Sequence, residues 1–289
     1  MTVTILHHPG AGEGEWTAEK ILAAFREAGF EPDLVERADR RWRKVVQATD
    51  EFVAVAGGDG TVARVAFLLA GTDVPMAILP TGSGNNIARS LEVMGRLDKI
   101  IPGLRRPERD ELRLARLKGP WEEDTFIEGI GLGALAHSVL ELQREKLDGD
   151  DKLIRGRDSL ISAVQAQDSL YVRIVVDDET IEGAFLLAEI LNLPMIGPNL
   201  QLAPRSALKE ENLCLALLHV EDRTAFVDWL SEGGAGVAPL RHVRGRRIEI
   251  TGAEQPLRLD DKTRDWDGSR VKFRAAKHRV QILRPGAAR

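Results

Sequence analysis

The feature that most constrains this chain is the run Phe52-Val53-Ala54-Val55-Ala56-Gly57-Gly58-Asp59-Gly60-Thr61. Its unbroken apolar start fits a strand buried on both faces, as in parallel sheets covered by helices. The glycines that follow let the backbone turn sharply and leave N–H groups open to an anion. Asp-Gly is by itself a strong hairpin signal, but a hairpin needs an alternating strand after the turn. Here Val62, Val65, Ala66 and Leu69 recur at helical spacing instead. The segment reads as strand, phosphate-binding loop and helix. Thr61 is expected to cap the helix and Asp59 to orient phosphate-bound magnesium or its waters.

The same unit recurs in the first half. Val3 to Leu6 is a candidate strand, Pro9 to Gly14 a glycine-rich loop, and Ile21, Ala24, Phe25 and Ala28 the buried face of a helix that Gly29 stops. Met76 to Leu79 is a further strand, and Pro80-Thr81-Gly82-Ser83-Gly84-Asn85-Asn86 a second loop ahead of a helix. Loops at the carboxyl ends of successive parallel strands face one crevice, where open α/β sheets bind ligands. A serine nucleophile would need Gly-x-Ser-x-Gly, and Thr81 stands where the first glycine is required. The loop His8-Pro9-Gly10-Ala11-Gly12 lacks the lysine of a Walker loop, which excludes a P-loop NTPase.

After the charged, turn-rich stretch from Leu104 to Asp124 the pattern changes to period two. Leu170, Val172, Ile174 and Val176 alternate, and later runs at Leu213–Val220, Ile248–Thr251, Leu257–Asp260, Val271–Arg274 and Val280–Leu283 suggest a sandwich of antiparallel strands. The expected organisation is an α/β nucleotide-binding domain over residues 1–120 and a β-rich sandwich domain over residues 121–289.

A formal net charge of -5 argues against a nucleic-acid partner bound through a broad basic surface. The lone cysteine, Cys214, sits in an apolar run and reads as a buried strand residue in a reducing compartment. The start of the sequence lacks the pattern of a signal peptide, and Ala184 to Pro194 is interrupted by Glu189 and Asn192, so the cytoplasm is the expected location. The acidic run Asp260, Asp261, Asp265 and Asp267 and the basic cluster Arg241, His242, Arg244, Arg246 and Arg247 read first as solvated turns and strand ends. No zinc-ligand spacing is present.

Taken together, Gly57 to Thr61 and Pro80-Thr81-Gly82-Ser83-Gly84-Asn85-Asn86-Ile87-Ala88 resemble the two loop motifs of the diacylglycerol kinases, sphingosine kinases and related lipid kinases. Phe126 to Gly133 resembles that family's entry into its second domain, and Leu202 to Leu213 its Pro-x-Ala-x-Leu-x-Asp-Gly segment. The resemblance implies a kinase with the NAD kinase/diacylglycerol kinase-like fold, ATP and Mg2+ as cofactors, and an active site in the cleft between an α/β and a β-rich domain. It implies a lipid substrate met at the inner face of the membrane from the water side, and is compatible with a homodimer. Nucleotide-binding residues by this resemblance are His8, Gly12, Gly57, Gly58, Asp59, Gly60, Thr61, Gly82, Ser83, Gly84 and Asn85. Catalytic positions are Asp59, Asp260, Asp261 and Lys262, with metal roles for Asp59 and Glu210.

The departures from the family pattern are chemical. Its Asp-Gly-Glu aligns with Asp260-Asp261-Lys262, so a lysine stands where an acid is expected to assist the general base. Its Asn-Glu after the first loop becomes Ala63-Arg64, its Asn-Asp becomes Asn85-Asn86, and Glu210-Glu211 replace a metal-binding Asp-Gly. The alternatives are a nucleotide- or lipid-binding member without phosphotransfer, and an NAD kinase, which shares Gly-Gly-Asp-Gly but not a loop like Pro80 to Ala88.

Overall fold

A computed structural model describes residues 1–12, 14–121, 123–143, 149–208 and 211–286. The chain divides into two compact units, Met1–Arg113 with His278–Arg289, and Leu114–Lys277.

The first unit runs β1 (Thr2–His7), α1 (Ala18–Glu27), β2 (Glu31–Glu36), α2 (Trp42–Gln47), β3 (Val53–Gly57), α3 (Asp59–Leu69), β4 (Met76–Pro80), α4 (Asn86–Ser90) and α5 (Leu97–Gly103). The strands lie in the order β2-β1-β3-β4, all parallel, which requires the crossover helices between them. Every residue of β3 is buried, as its unbroken apolar run implies. On α1 the Thr17 hydroxyl accepts the Lys20 N–H as a cap, and Ile21 and Phe25 face Val3, Ile5 and Phe52 in the core. Each of those two side chains contributes about 1.5–3 kcal/mol by leaving water. Gly29, at φ 80°, ends the helix in a left-handed conformation.

The last strand of the chain also reaches this sheet. Ile282 and Leu283 pair in parallel with Met76 and Ala77, and Leu283 packs in the same core. The final residues thus belong with the first unit, whereas the sequence reading grouped everything after 121. An apolar alternating run reports burial, not which sheet buries it.

The second unit holds β5 (Glu108–Lys118, which begins in the first unit), β6 (Asp124–Phe126), β7 (Gly129–Gly133), α6 (Ala134–Leu142), α7 (Gly149–Ala166), β8 (Leu170–Val176) and β9 (Glu179–Leu191). It continues with the short pair β10 (Met195–Ile196) and β11 (Leu200–Gln201), then β12 (Leu213–His219), α8 (Arg223–Ser231), β13 (Arg241–Gly245), β14 (Arg247–Gly252), β15 (Gln255–Leu259), β16 (Lys262–Trp266) and β17 (Val271–Arg284). The long strand β9 pairs with β8 over its first half and lies between β7 and β12 over its second. Its Ala188 and Ile190 join Ile130, Leu215, Ile174, Ile248, Val271 and Phe273 in one core of this β-rich unit. The other face of β9 and β12, including Leu187, Leu191 and Ala216, is covered by Leu135, Leu160 and Phe226 from α6, α7 and α8. Those three helices, and the strand β5 inside the stretch read as an interdomain crossing, are additions to the sequence reading. Cys214 is buried on β12, and burial pushes its thiol up to about 12. Among the described residues no helix is long and apolar enough to cross a membrane.

Candidate functional site

The three glycine loops of the first unit meet at the carboxyl ends of β1, β3 and β4. A Cβ on Gly82 would lie 2.4 Å from the Gly58 Cα, and one on Gly12 would lie 2.2 Å from the Thr81 carbonyl oxygen. Both are closer than real atoms approach, so glycine is what permits the contact at these positions. Gly12 also has φ 67°, a second reason for glycine there. Gly58 is the N-cap of α3, and the first N–H groups of that helix, including those of Asp59 and Gly60, have no acceptor within the helix. Thr61 is inside the helix rather than its cap. It is buried, and its side chain packs on Gly57, where a Cβ would be 2.9 Å from the Thr61 Cβ.

Asp59 joins the first loop to the next. Its two carboxylate oxygens accept the N–H groups of Asn86 and Ile87, each at 2.9 Å, capping α4 from 27 residues away. Burial raises the Asp59 pKa, and these N–H donors, with Arg89, pull it back down. Within the second loop the Asn85 amide closes the turn: its Oδ1 accepts from Gly82 N at 3.1 Å while its Nδ2 donates to the Gly82 carbonyl. Asn85 holds φ 54°, which asparagine tolerates better than most residues. Arg89 Nε donates to the Gly84 carbonyl at 3.0 Å from the first turn of helix beyond. Ser83 and Gly84 are half-buried on the same loop.

Arg37 and Arg64 bring positive charge to this edge beside His8. His8 is half-buried, and burial, then Arg37, His7 and Arg64, hold its pKa below the ordinary value. Arg37 directly follows β2 and was not singled out in the sequence, because one arginine after a strand carries no spacing signal. Its guanidinium lies 5.9 Å from the centroid of the Trp42 ring. His7 is buried and its Nε2 bonds the Trp16 carbonyl at 3.1 Å, a structural role.

The sequence-predicted catalytic acids lie on the β15–β16 hairpin of the second unit. Asp260, at φ 51°, turns its carboxylate inward to accept N–H groups of Ile127, Glu128 and Gly129, the shortest at 2.9 Å to Glu128. Burial raises its pKa against those donors and Arg258. Asp261 and Lys262 are exposed at the tip, and Gln143 Nε2 donates to the Asp261 carbonyl while its Oε1 accepts from Thr263 Oγ1. The hairpin is thereby fixed from two sides.

For a magnesium ion held by protein ligands the donor set does not fit. Both Asp59 oxygens already accept backbone donors, and among the described residues no group of three His, Cys, Asp or Glu side chains converges. Glu211 is exposed, and Glu210 lies outside the described residues. Asp267 closes a local turn by accepting the Ser269 N–H at 2.9 Å, in keeping with a solvated acidic run.

The glycine contacts predict a contrast between neighbours. Gly82→Ala is expected to force the two loops apart and weaken binding of ADP at least tenfold, whereas a Cβ on Gly58 meets Gly82 at an ordinary 3.4 Å. Gly58→Ala should therefore keep the native melting temperature, and calorimetry with thermal melts of both variants separates loop packing from ligand contact.

Comparison with known proteins bears on the same segment. The model of the diacylglycerol kinase catalytic domain matches residues 2–117. A Mycobacterium tuberculosis protein named diacylglycerol kinase is 51% identical over 95 residues, and that match covers only 30% of this chain and 30% of that protein. Among solved structures, a Bacillus anthracis protein described as a diacylglycerol kinase superposes with TM-score 0.74 at 17% identity, over 98% of this chain and 94% of that one. An NAD kinase from Archaeoglobus fulgidus, solved in complex with ATP, superposes with TM-score 0.50 at 14% identity, over 99% and 94% of the two chains. At such identities the solved structures establish the fold, which is that of the diacylglycerol kinase-like and NAD kinase proteins. The stretch that matches the diacylglycerol kinase catalytic domain, residues 2–117, contains all three glycine loops.

Proposed function

We propose that this chain is an ATP-dependent lipid kinase that transfers the γ-phosphate to a lipid hydroxyl met at the membrane surface. The observation that carries the reading is the close approach of Gly12, Gly58 and Gly82 at the start of α3, whose first backbone N–H groups have no acceptor within the helix and no side-chain cap. In phosphoryl transfer the protein's work is chiefly to position the phosphates and offset their charge. The first-unit loops supply the positioning, and Arg37 and Arg64 supply the positive field beside a neutral His8. Magnesium enters this reading as a companion of the nucleotide, not as an ion the protein holds.

Proton removal from the lipid hydroxyl falls to Asp261 on this reading. Asp260 is committed to backbone donors and sets the hairpin, while Asp261 is exposed beside Lys262. Asp261→Asn is expected to lower turnover by about 10²-fold or more with an unchanged melting temperature, and Asp260→Asn to lower the melting temperature first. Lys262→Glu should raise turnover if an acid at that position assists the base. Retained activity in Asp261→Asn removes the base assignment.

The experiment that tests the function is transfer of labelled γ-phosphate from ATP to a panel of diacylglycerol, sphingoid and total-lipid micelles, with NAD as a parallel acceptor. Labelled lipid product is the expected result. Labelled NADP would move the chain to the NAD kinase reading, which the likeness to the ATP-bound archaeal structure keeps in view. ATP binding with no acceptor labelled, in the native chain and in Lys262→Glu alike, would make it a nucleotide-binding member without phosphotransfer.

A further inference from the structure

We propose that this chain holds nucleotide phosphates with its own cations, so that a nucleoside diphosphate or triphosphate binds with nearly equal affinity in the presence and absence of a divalent ion. The inference rests on the nucleotide reading above and concerns how the same site meets the ligand's charge.

The parallel register fixes the arrangement. His7 pairs with Glu36 on one side and Ala56 on the other, so one residue further along the sheet edge Arg37, His8 and Gly57 stand in a row. Two backbone bonds hold the row in place, Arg37 N–H to the His7 carbonyl at 2.7 Å and His8 N–H to the Ala56 carbonyl at 2.9 Å. Arg64 completes it from the first turns of α3. Its Nη1 donates to the Gly60 carbonyl at 3.3 Å, which keeps the guanidinium beside the glycine loop. The charge of Arg64 is felt at Arg37, and both are felt at His8, so the groups share one small region.

The nearby acids do not neutralise them. Asp59 is engaged by the N–H groups of α4, and Asp39 is paired with Arg41 at 2.9 Å. Arg37 Nε and Thr81 Oγ1 are buried without a protein partner, an arrangement with a cost that an anionic ligand would remove. Like charges brought together on a glycine-lined edge, with no converging acids to hold a metal among the described residues, form an anion site and not a cation site. A guanidinium also recognises phosphate by paired N–H donors, a geometry that suits oxygens directly and needs no bridging ion.

The test is calorimetry of ADP with the full chain, in excess chelator and again in millimolar magnesium. The two dissociation constants are expected to agree within about threefold. Arg64→Glu, at an exposed position that leaves folding intact, is expected to weaken metal-free binding at least tenfold, with magnesium restoring part of the loss. Arg37→Gln should weaken metal-free binding in the same direction. ADP binding that requires magnesium in the native chain and is indifferent to Arg64→Glu overturns this inference while leaving the nucleotide reading intact. ADP binding under neither condition overturns the nucleotide reading itself.

Discussion

Gly131→Ala is expected to destabilise the second unit by about 3–5 kcal/mol. Gly131 lies on β7 between Glu189 of β9 and Arg258 of β15, in register with both. Across the glycine those two side chains meet, with Arg258 Nη2 2.6 Å from Glu189 Oε2, and both are fully buried. A Cβ on Gly131 would lie 2.0 Å from the Glu189 carboxyl carbon, inside the volume the ion pair occupies. Burial raises the Glu189 pKa and only Arg258 opposes it, so separating the pair strands a charge in the core. Glu189→Ala should cost a similar amount for the same reason. Urea unfolding followed by tryptophan fluorescence, to which buried Trp266 contributes, measures both variants, and a midpoint for Gly131→Ala equal to the native one would mean that the pair is not packed over the glycine. The pair also donates from Arg258 Nη1 to the Asp260 carbonyl, which ties the core to the hairpin bearing the candidate base.

Asp59→Asn is the second large effect. The variant keeps the size of the side chain, but its amide NH2 must face the N–H groups of Asn86 or Ile87 where a carboxylate oxygen now accepts them. Hydrogen bonds to a charged acceptor contribute about 1.5–3 kcal/mol each, so a loss of about 2 kcal/mol is expected, together with at least a tenfold loss of ADP affinity as the second loop comes loose. Thermal melting and calorimetry on the same sample check both. A variant that melts with the native chain yet loses phosphotransfer would return Asp59 to a purely chemical role.

Much of the first unit was legible because each of its signals is local. A strand buried on both faces, a glycine run and a helical period stand within twenty residues of one another, and they name the loop that Gly57 to Thr61 forms. What the sequence did not carry is the partnership between distant loops. Nothing at Asp59 announces that its acceptors' partners lie at Asn86 and Ile87, and its charge invited a purely catalytic reading. Asp260 is similar, since its engagement with Ile127 to Gly129 depends on a strand 130 or so residues earlier, brought alongside by the β15–β7 pairing. The helices of the second unit were missed for a different reason. Arg223–Ser231 buries only Phe226 and Leu230, and Ala134–Leu142 follows its strand directly through Gly133 at φ 86°, without the polar cap that marks a helix start. Gly129, Gly131 and Gly133 alternate along β7, but the buried ion pair that the middle one accommodates comes from two other strands.

The central claim, that nucleotide phosphates sit where the three glycine loops converge, is tested most directly by following backbone amide signals of the 15N-labelled chain as ADP is added. The predicted result is a saturable shift concentrated at Gly12, Gly58, Asp59, Gly60, Gly82 and Ser83, lost in Gly82→Ala. Shifts elsewhere that leave these amides unmoved at saturation would contradict it.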